Sequence, residues 1–366
     1  MSKDTLITKF KECLLGHALG DTIGFKNGDW EFMFSLDKMY EFISLGGVNH
    51  ISFKDWNVSD DTVLHIALCK TLLTNYNSIN TLCETFVAYL IKAYDEFSKE
   101  GFNKRAPGNI TLNAIKSMKL GVKWNEQPYN INLGGSGASM RTACIGLAYH
   151  REQDLDTLIQ VSIETSRLTH NSAVGYLGGL VTALFTSYAI NNVNVETWAS
   201  RLLELYETKK IHRYIESVGR NVKEYEADSI IFFEKWKTYV NDKFKDGVVI
   251  ERKSSINLYL RGKYYQEKFG YVSSTTSDKH HKFPGSGGDD SVIIAYDCLL
   301  DAKNNWEKLI FYAMLHIGDT DTTGCIAGAW YGAYYGFEDI PKHHLQYLEY
   351  KTELEKLGSE LYNKFK

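Results

Sequence analysis

The stretch His316-Ile317-Gly318-Asp319-Thr320-Asp321-Thr322-Thr323-Gly324 is followed by further glycines at every fourth position, Gly328, Gly332 and Gly336. This spacing places the glycines on one face of a helix, although each costs a helix about 1 kcal/mol relative to alanine. A row of this kind is favourable where another backbone packs closely against it. We therefore predict a tightly packed central helix directly after the Asp-x-Asp-Thr turn.

Helical periodicity prevails in the rest of the chain, which has only four prolines and few alternating runs. The pattern predicts helices beginning near Ser59, over 155–163 and over 172–190, with surface helices within 216–245. Residues 270–290 have the composition of a loop. Because no repeat, low-complexity tract or linker divides the 366 residues, we predict a single all-α domain over 1–366.

The bulk composition is that of a globular protein, with 44% hydrophobic and 23% charged residues. A net charge of −4 argues against nucleic acid or an anionic membrane as the main partner. The run 173–190 is apolar but contains threonines and glycines, which favours a buried core helix over a membrane span. The charged N-terminus lacks the apolar core of a signal peptide, and the six scattered cysteines lack a CxxC pair, so we expect reduced thiols in a cytoplasmic protein.

Two acidic turns each precede an apolar helix. In the first, Val58-Ser59-Asp60-Asp61-Thr62, a serine N-cap and two acids in the first turn are also explained by helix capping alone. The second is Gly318-Asp319-Thr320-Asp321-Thr322, and capping hardly explains two such turns in one chain. Their hard oxygen ligands suit Mg²⁺ or Mn²⁺ rather than zinc. Together they predict two metal ions about 4 Å apart.

Two glycine-rich turns are candidates for phosphate binding. Gly134-Gly135-Ser136-Gly137 opens into a predicted helix, and Gly285-Ser286-Gly287-Gly288 resembles it. Backbone N–H groups at such turns can donate to phosphate oxygens, but the pattern is common and neither turn is a Walker motif. The doublets His280-His281 and His343-His344 lack partners at zinc-ligand spacing, which argues against a zinc site there.

The chain resembles the ADP-ribosylglycohydrolases nearly from end to end. The segments that carry the resemblance are Gly16–Gly24, Asn27–Phe32, Ser59–His65, Arg105–Gly108, Gly134–Arg141, Leu155–Tyr176 and His316–Phe337. Within that family, Asn27-Gly28-Asp29-Trp30-Glu31-Phe32 looks like the subgroup that acts on ADP-ribosylarginine rather than on ADP-ribosylserine. The resemblance implies a single-domain orthogonal helix bundle with a central binuclear metal cleft, and a variable insertion around 235–268.

The resemblance also implies the functional residues. Two Mg²⁺ ions, for which Mn²⁺ can substitute, would be bound by the matching positions Ser59, Asp60, Asp61, Asp319, Asp321 and Thr322. Glu31 matches an acid on a mobile loop near the metals, and Asp60 or Asp61 would activate water or orient the substrate. The positions that match contacts with ADP-ribose are Gly108, Gly134, Gly135, Ser136, Gly137, Met140 and His170.

The adenine end departs from the family pattern. The arginine-type enzymes carry Tyr and Trp before the second glycine turn, where this chain has Lys279-His280-His281-Lys282-Phe283-Pro284. Phe283 or a histidine there can stack on adenine. Gly285, Ser286 and Gly287 complete the predicted substrate-binding set.

We therefore expect an Mg²⁺-dependent hydrolase that cleaves the N-glycosidic bond of ADP-ribosylarginine. Its partners would be ADP-ribosylated proteins, with ADP-ribose as product and a monomer as the working state. Cleavage of serine-linked ADP-ribose or of O-acetyl-ADP-ribose is the alternative reaction. A non-catalytic binding module and a purely structural helical protein are the alternatives outside enzymes.

Overall fold

The computed structural model describes residues 3–270 and 282–366, and these form an all-α domain. The α-helices, numbered in chain order, are α1 Lys3–Phe25, α2 Asp37–Ser44, α3 Gly47–His50, α4 Asp60–Leu73, α5 Ile79–Glu100, α6 Asn109–Lys119, α7 Ala143–Ala148, α8 Leu155–Arg167, α9 Ala173–Ile190, α10 Trp198–Glu207, α11 Lys210–Val218, α12 Val222–Lys243, α13 Lys253–Ile256, α14 Leu258–Lys268, α15 Asp290–Ala302, α16 Trp306–Leu309, α17 Thr320–Tyr334 and α18 Lys351–Phe365. The two strands, β1 Phe244–Lys245 and β2 Val248–Val249, form one antiparallel hairpin.

Helices α1 and α17 pack with their backbones in direct contact at the centre of the domain. A Cβ atom added to Gly324 would lie 2.5 Å from the carbonyl oxygen of Gly20, and additions at Gly328 and Gly16 would clash with each other's backbone in the same way. This contact confirms the close approach predicted from the glycine row. Gly336, the last glycine of that row, lies beyond the end of α17 with φ of 78°.

Helix α9 lies within the core of the protein, as its composition predicts. It is long and apolar enough to cross a membrane, but 94% of its residues are buried inside the fold. Ser172 caps it by accepting a hydrogen bond from the amide of Gly175. The helix predictions near Ser59 and over 155–163 are confirmed by α4 and α8.

The prediction of surface helices within 216–245 is wrong in one respect. Helix α12 covers most of this segment, but it packs against α9 and buries a row of aromatic side chains on one face. The buried aromatic residues are Tyr225, Phe232, Phe233, Trp236 and Tyr239. Because these positions recur at helical spacing, α12 is half core and half surface.

A buried ion-pair network attaches the segment 244–268 to the body of the protein. Arg261 donates to Asp297 at 2.8 Å and to Asp301 at 2.6 Å, and Lys243 lies 3.0 Å from Asp297. The pKa of Asp297 is held below its usual range, in spite of burial, by Lys243, Arg261 and Arg252. The region that the sequence suggests to be an insertion is therefore anchored by charge to α15.

The loop predicted over 270–290 is confirmed where the structure describes it, since Gly270 and 282–289 belong to no helix. Positions 271–281, which include His280 and His281, lie outside the described residues. All six cysteines are unpaired and buried, as expected for reduced thiols.

Candidate active site

The first acidic turn of the sequence forms the N-terminus of α4. Ser59 is the N-cap, and its Oγ accepts a hydrogen bond from the amide of Asp61 at 3.1 Å. Asp60 and Asp61 occupy the first helical turn and are buried. The capping explanation is therefore confirmed, and Asp60 and Asp61 also line a cavity.

The second acidic turn forms the N-terminus of α17 at the same cavity. Asp319 is the N-cap and accepts a hydrogen bond from the amide of Thr322 at 3.3 Å. Gly318 precedes it with φ of 157°, and a side chain there would strike the carbonyl of Pro284. Because two helix N-termini face one cavity, their dipoles favour negative charge within it.

Glu31 joins these acids from the loop before α2. Its carboxylate oxygen lies within 4.8 Å of those of Asp319 and Asp321. The amide of Phe32 donates to the carbonyl of Gly318 at 2.8 Å, which ties the Glu31 loop to the second acidic turn. Glu31 is only partly buried as a residue, unlike the two aspartates.

Burial and mutual repulsion raise the pKa values of the clustered acids. Desolvation is the largest cause for each, and neighbouring carboxylates add to it for Glu31, Asp60, Asp61 and Asp321. The pKa of Asp319 is raised to about 6. Carboxylates gathered in this way are stable as anions only beside a compensating cation.

These residues fit a divalent metal ion. The set consists of carboxylate and hydroxyl oxygens, which two helix N-termini bring to one cavity. Hard oxygen ligands of this kind suit Mg²⁺ or Mn²⁺.

The opposite wall of the cavity is built from the two glycine-rich turns, which pair with each other. Gly135 and Gly287 form an isolated antiparallel bridge, and the amide of Ser136 donates to the carbonyl of Ser286 at 2.8 Å. A Cβ atom at Gly137 would lie 2.6 Å from Cε1 of His170, so only glycine fits there. The pairing explains why two similar turns, far apart in the sequence, occur in one chain.

The second glycine turn uses its amides within the protein. The amides of Gly285 and Gly287 donate to the two carboxylate oxygens of Asp290, at 2.8 and 2.7 Å. These two N–H groups are therefore already committed, and phosphate binding by them is not supported. Asp289 in turn pairs with Lys235 of α12 at 2.6 Å, so the turn is fixed from behind.

The N-terminus of α6 is a better source of phosphate-binding amides. Gly108 is its N-cap and, without a side chain, makes no capping hydrogen bond. Gly108, Asn109, Ile110 and Thr111 all line the cavity. The first amides of a helix have no partner within the helix and attract anions, so this end of α6 offers an anion site beside the acids.

Most of the predicted site residues line one cavity of about 330 Å³. Those that line it are Glu31, Asp60, Asp61, Gly108, Gly135, Ser136, Gly137, Met140, His170, Phe283, Ser286, Asp319, Asp321 and Thr322. Those that do not are Ser59, Gly134, Gly285 and Gly287, which support the lining residues from the adjacent backbone. Phe283 packs edge-on against Phe32 and Phe34 at the mouth.

Asp21 is a supporting residue that the sequence reasoning missed. Its carboxylate accepts hydrogen bonds from the amides of Ser59 and Thr62 and from the Thr62 hydroxyl. It is fully buried, and desolvation and Asp321 raise its pKa to about 7. An acid inside an otherwise small and apolar helix was the available signal.

Arg105 and Glu349 clamp the first acidic turn from the other side. Arg105 donates to both carboxylate oxygens of Glu349, at 2.7 and 2.8 Å, and to the carbonyl of Val58. Glu349 accepts from the amide of Val58, and the carbonyl of Arg105 accepts from the amide of Asp60. Sequence reasoning missed this clamp because its members are far apart in the chain.

Lys38 is a further supporting residue that was missed. It is completely buried on α2, and its ammonium donates to the carbonyl of Trp30 at 2.8 Å. Burial lowers its pKa to about 7, while Asp321 and Glu31 oppose this shift. Lys38 therefore fixes the residue next to Glu31 and places a basic group behind the acids.

Comparison with known proteins agrees with this site. The family model for ADP-ribosylglycohydrolase matches residues 2–366. The ADP-ribosylhydrolase ARH1 of Dictyostelium discoideum is 38% identical over 96% of this chain and 93% of that protein. The putative ADP-ribosyl glycohydrolase L444 of Acanthamoeba polyphaga mimivirus is 35% identical over 93% of this chain and 67% of that protein. A solved ADP-ribosylglycohydrolase-related protein complex shares the fold, with a TM-score of 0.59 at 17% identity, over 99% of this chain and 100% of that one.

An all-α fold around a carboxylate-lined cavity that can hold metal defines a metal-dependent hydrolase. The chain belongs to the ADP-ribosylglycohydrolase family. It is a hydrolase, and the family supports an ADP-ribosyl glycohydrolase activity.

Proposed function

We propose that this enzyme hydrolyses the N-glycosidic bond between ADP-ribose and an arginine side chain of a modified protein, with Mg²⁺ as its metal. The observation that carries the proposal is the convergence of five carboxylates in one cavity: Glu31, Asp60, Asp61, Asp319 and Asp321. No lysine or arginine is among the described residues that line this cavity. Glu31 is not among the proposed metal ligands, so it remains available to pair with a cationic guanidinium, whereas a serine-linked group offers no charge to recognise.

Two parts of the wall suit the two ends of the substrate. The diphosphate would lie against the uncapped N-terminus of α6, where Asn109 and Ile110 present backbone at the cavity. The guanidinium would lie at the mouth beside Glu31, the carboxylate that is only partly buried. This division explains how an acidic cavity in an acidic protein accepts a substrate that is itself anionic at its nucleotide end.

The proposed metal ligands are Ser59, Asp60, Asp61, Asp319, Asp321 and Thr322. When bound, Mg²⁺ supplies Lewis-acid stabilisation of negative charge on substrate or water oxygens. Asp60 or Asp61 accepts the proton of the attacking water. One oxygen of Asp61 lies 3.4 Å from the Cys325 thiol, which can donate to it and so orients the carboxylate. As the bond to the ribose carbon breaks, the departing guanidine takes up the proton that Asp60 or Asp61 accepted from water, and it leaves as a guanidinium cation that pairs with Glu31.

The test is release of free ADP-ribose from an arginine-linked peptide, with Mg²⁺ and with EDTA, beside a serine-linked peptide of the same sequence. We expect release from the arginine-linked peptide only, and only with Mg²⁺. Asp61→Asn should abolish release, whereas Asp246→Asn, in the exposed turn of the hairpin, should leave it unchanged. Release from the serine-linked peptide instead would overturn the substrate, and binding of ADP-ribose without any release would favour a binding module.

We further propose that the enzyme works as a cytoplasmic monomer. Its unpaired cysteines suit a reducing compartment. Light scattering of the purified chain would test the monomer.

A further inference from the structure

Three side chains of the core bring together ligand atoms of a different chemistry from the acidic cavity. His65 and Cys69 are one turn apart on α4 and share a face of that helix, and Cys144 lies at the start of α7. Their ligand atoms all lie within 4.8 Å of one another. All three side chains are fully buried, and none of them lines the acidic cavity. We call them the His–Cys cluster.

Hydrogen bonding fixes the tautomer of the His65 imidazole. Its Nδ1 lies 3.0 Å from the carbonyl oxygen of Arg141. Because a carbonyl can only accept, Nδ1 carries the proton and Nε2 carries the free lone pair. Nε2 is buried and has no hydrogen-bond partner in the described part of the chain. Metal-bound histidines are commonly held in this way, with one ring nitrogen donating to a carbonyl and the other facing the ion.

Neighbouring groups hold the ring in this orientation. His17 stacks on His65 with the ring centroids 4.0 Å apart, and His17 itself is anchored at 2.6 Å to the carbonyl of Met140. A buried acceptor without a donor costs the folded state free energy. Packing alone leaves that cost uncompensated, whereas an ion at Nε2 would remove it.

The thiols supply the remaining ligands. Cys144 is close enough to Cys69 for a hydrogen bond between the thiols, and Cys13 of α1 lies beside both. Burial and these neighbours raise the pKa of the Cys144 thiol.

We propose that His65, Cys69 and Cys144 form a second metal site, which takes a borderline or soft divalent ion of the zinc class. One imidazole nitrogen and two sulfurs select zinc over magnesium. On binding, the two thiols release their protons to solvent, and the two thiolates balance the charge of the ion. No net charge then enters the core. The ion would join α4, the helix that carries Asp60 and Asp61, to α7.

The site is tested with cobalt(II) as a spectroscopic probe. The ligands are buried, so the full chain is expressed in minimal medium containing Co²⁺ and acquires the ion as it folds. A thiolate bound to Co²⁺ gives a charge-transfer absorption that carboxylate ligands do not give, so ions in the acidic cavity do not interfere. We expect this absorption, with an intensity that corresponds to one cobalt per chain.

Variants identify the ligands. Cys69→Ala and Cys144→Ala should each remove the absorption, whereas Cys83→Ala, a buried cysteine of α5 outside the cluster, should retain it. If an alanine variant fails to fold, Cys69→Ser keeps the side-chain volume and makes the same comparison. Absence of the absorption in the wild-type protein, or its persistence in the folded Cys69 and Cys144 variants, would overturn the proposal. Release of ADP-ribose is measured separately, and its presence or absence decides nothing about this site.

Discussion

Replacing Asp319 by asparagine should stabilise the metal-free protein, although it removes a carboxylate of the proposed metal site. Asp319 is the N-cap of α17 and is almost completely buried. Asparagine caps a helix as well as aspartate does, so its side-chain oxygen can still accept from the amide of Thr322. The substitution therefore removes a buried negative charge while it preserves the start of the helix.

The size of the effect follows from the pKa of Asp319. The ordinary value is 3.8, and desolvation raises it to about 6 in the folded protein. A difference of about two pKa units corresponds to about 3 kcal/mol. Below pH 4 the Asp319 carboxyl is neutral in both the folded and the unfolded protein, so it does not lower the free energy of unfolding there. The cost grows between pH 4 and 6 and is complete above pH 6. We therefore expect Asp319→Asn to gain up to about 3 kcal/mol at pH 7.5 and almost nothing at pH 4.

Urea unfolding in EDTA at both pH values measures this difference, with Asp246→Asn as an exposed control that should not change. Saturating Mg²⁺ should then cancel most of this gain, because binding to the folded state at 100 times Kd adds about 2.7 kcal/mol to the wild-type protein and the variant has lost a ligand. The reasoning is refuted if the variant is less stable than the wild-type protein in EDTA at pH 7.5. It is also refuted if the gain is equal at the two pH values.

Three further substitutions test the packing and the supports of the site. Gly324→Ala should lower the free energy of unfolding by about 3 kcal/mol, because its Cβ would overlap the α1 backbone; unchanged urea unfolding would contradict the α1–α17 contact. Glu349→Gln removes the anion that holds Arg105 against Val58. It should lower the free energy of unfolding by about 2 kcal/mol and slow ADP-ribose release roughly tenfold. Urea unfolding and steady-state release measure the two effects, and an unchanged rate would mean that the clamp serves stability alone. Ser172→Ala should cost about 1 kcal/mol by removing the cap of α9, with equal urea midpoints as the contrary result.

Local patterns in the sequence predicted much of this structure. The four-residue glycine spacing predicted a close backbone contact, and the structure places α1 against that row. The two acidic turns predicted two helix starts with ligand-competent side chains, and both start at one cavity. These features can be predicted from the sequence because a helix start, a cap and a close contact each depend on a few neighbouring residues.

The supports of the site could not be predicted in the same way. Arg105 and Glu349 are 244 positions apart, and Asp21 lies 38 positions before the Ser59 amide to which it binds. A single sequence does not indicate which distant residues meet. The buried face of α12 is a different case, since Phe232, Trp236 and Tyr239 recur at helical spacing and their burial could have been inferred from the pattern.

The supports also explain how acids with such raised pKa values remain together before an ion binds. Asp21 and the Arg105–Glu349 pair hold the backbone of the first acidic turn, while Lys38 holds the residue beside Glu31. None of these three contacts uses a carboxylate that lines the cavity. These supports therefore occupy none of the ligand oxygens, and the backbone that carries the acids is held by hydrogen bonds outside the cavity. An ion that enters such a site meets ligands that are already in place. The burial of these carboxylates destabilises the metal-free protein, and Asp319→Asn should reveal this cost in EDTA. The same free energy favours metal binding, because the ion removes the cost.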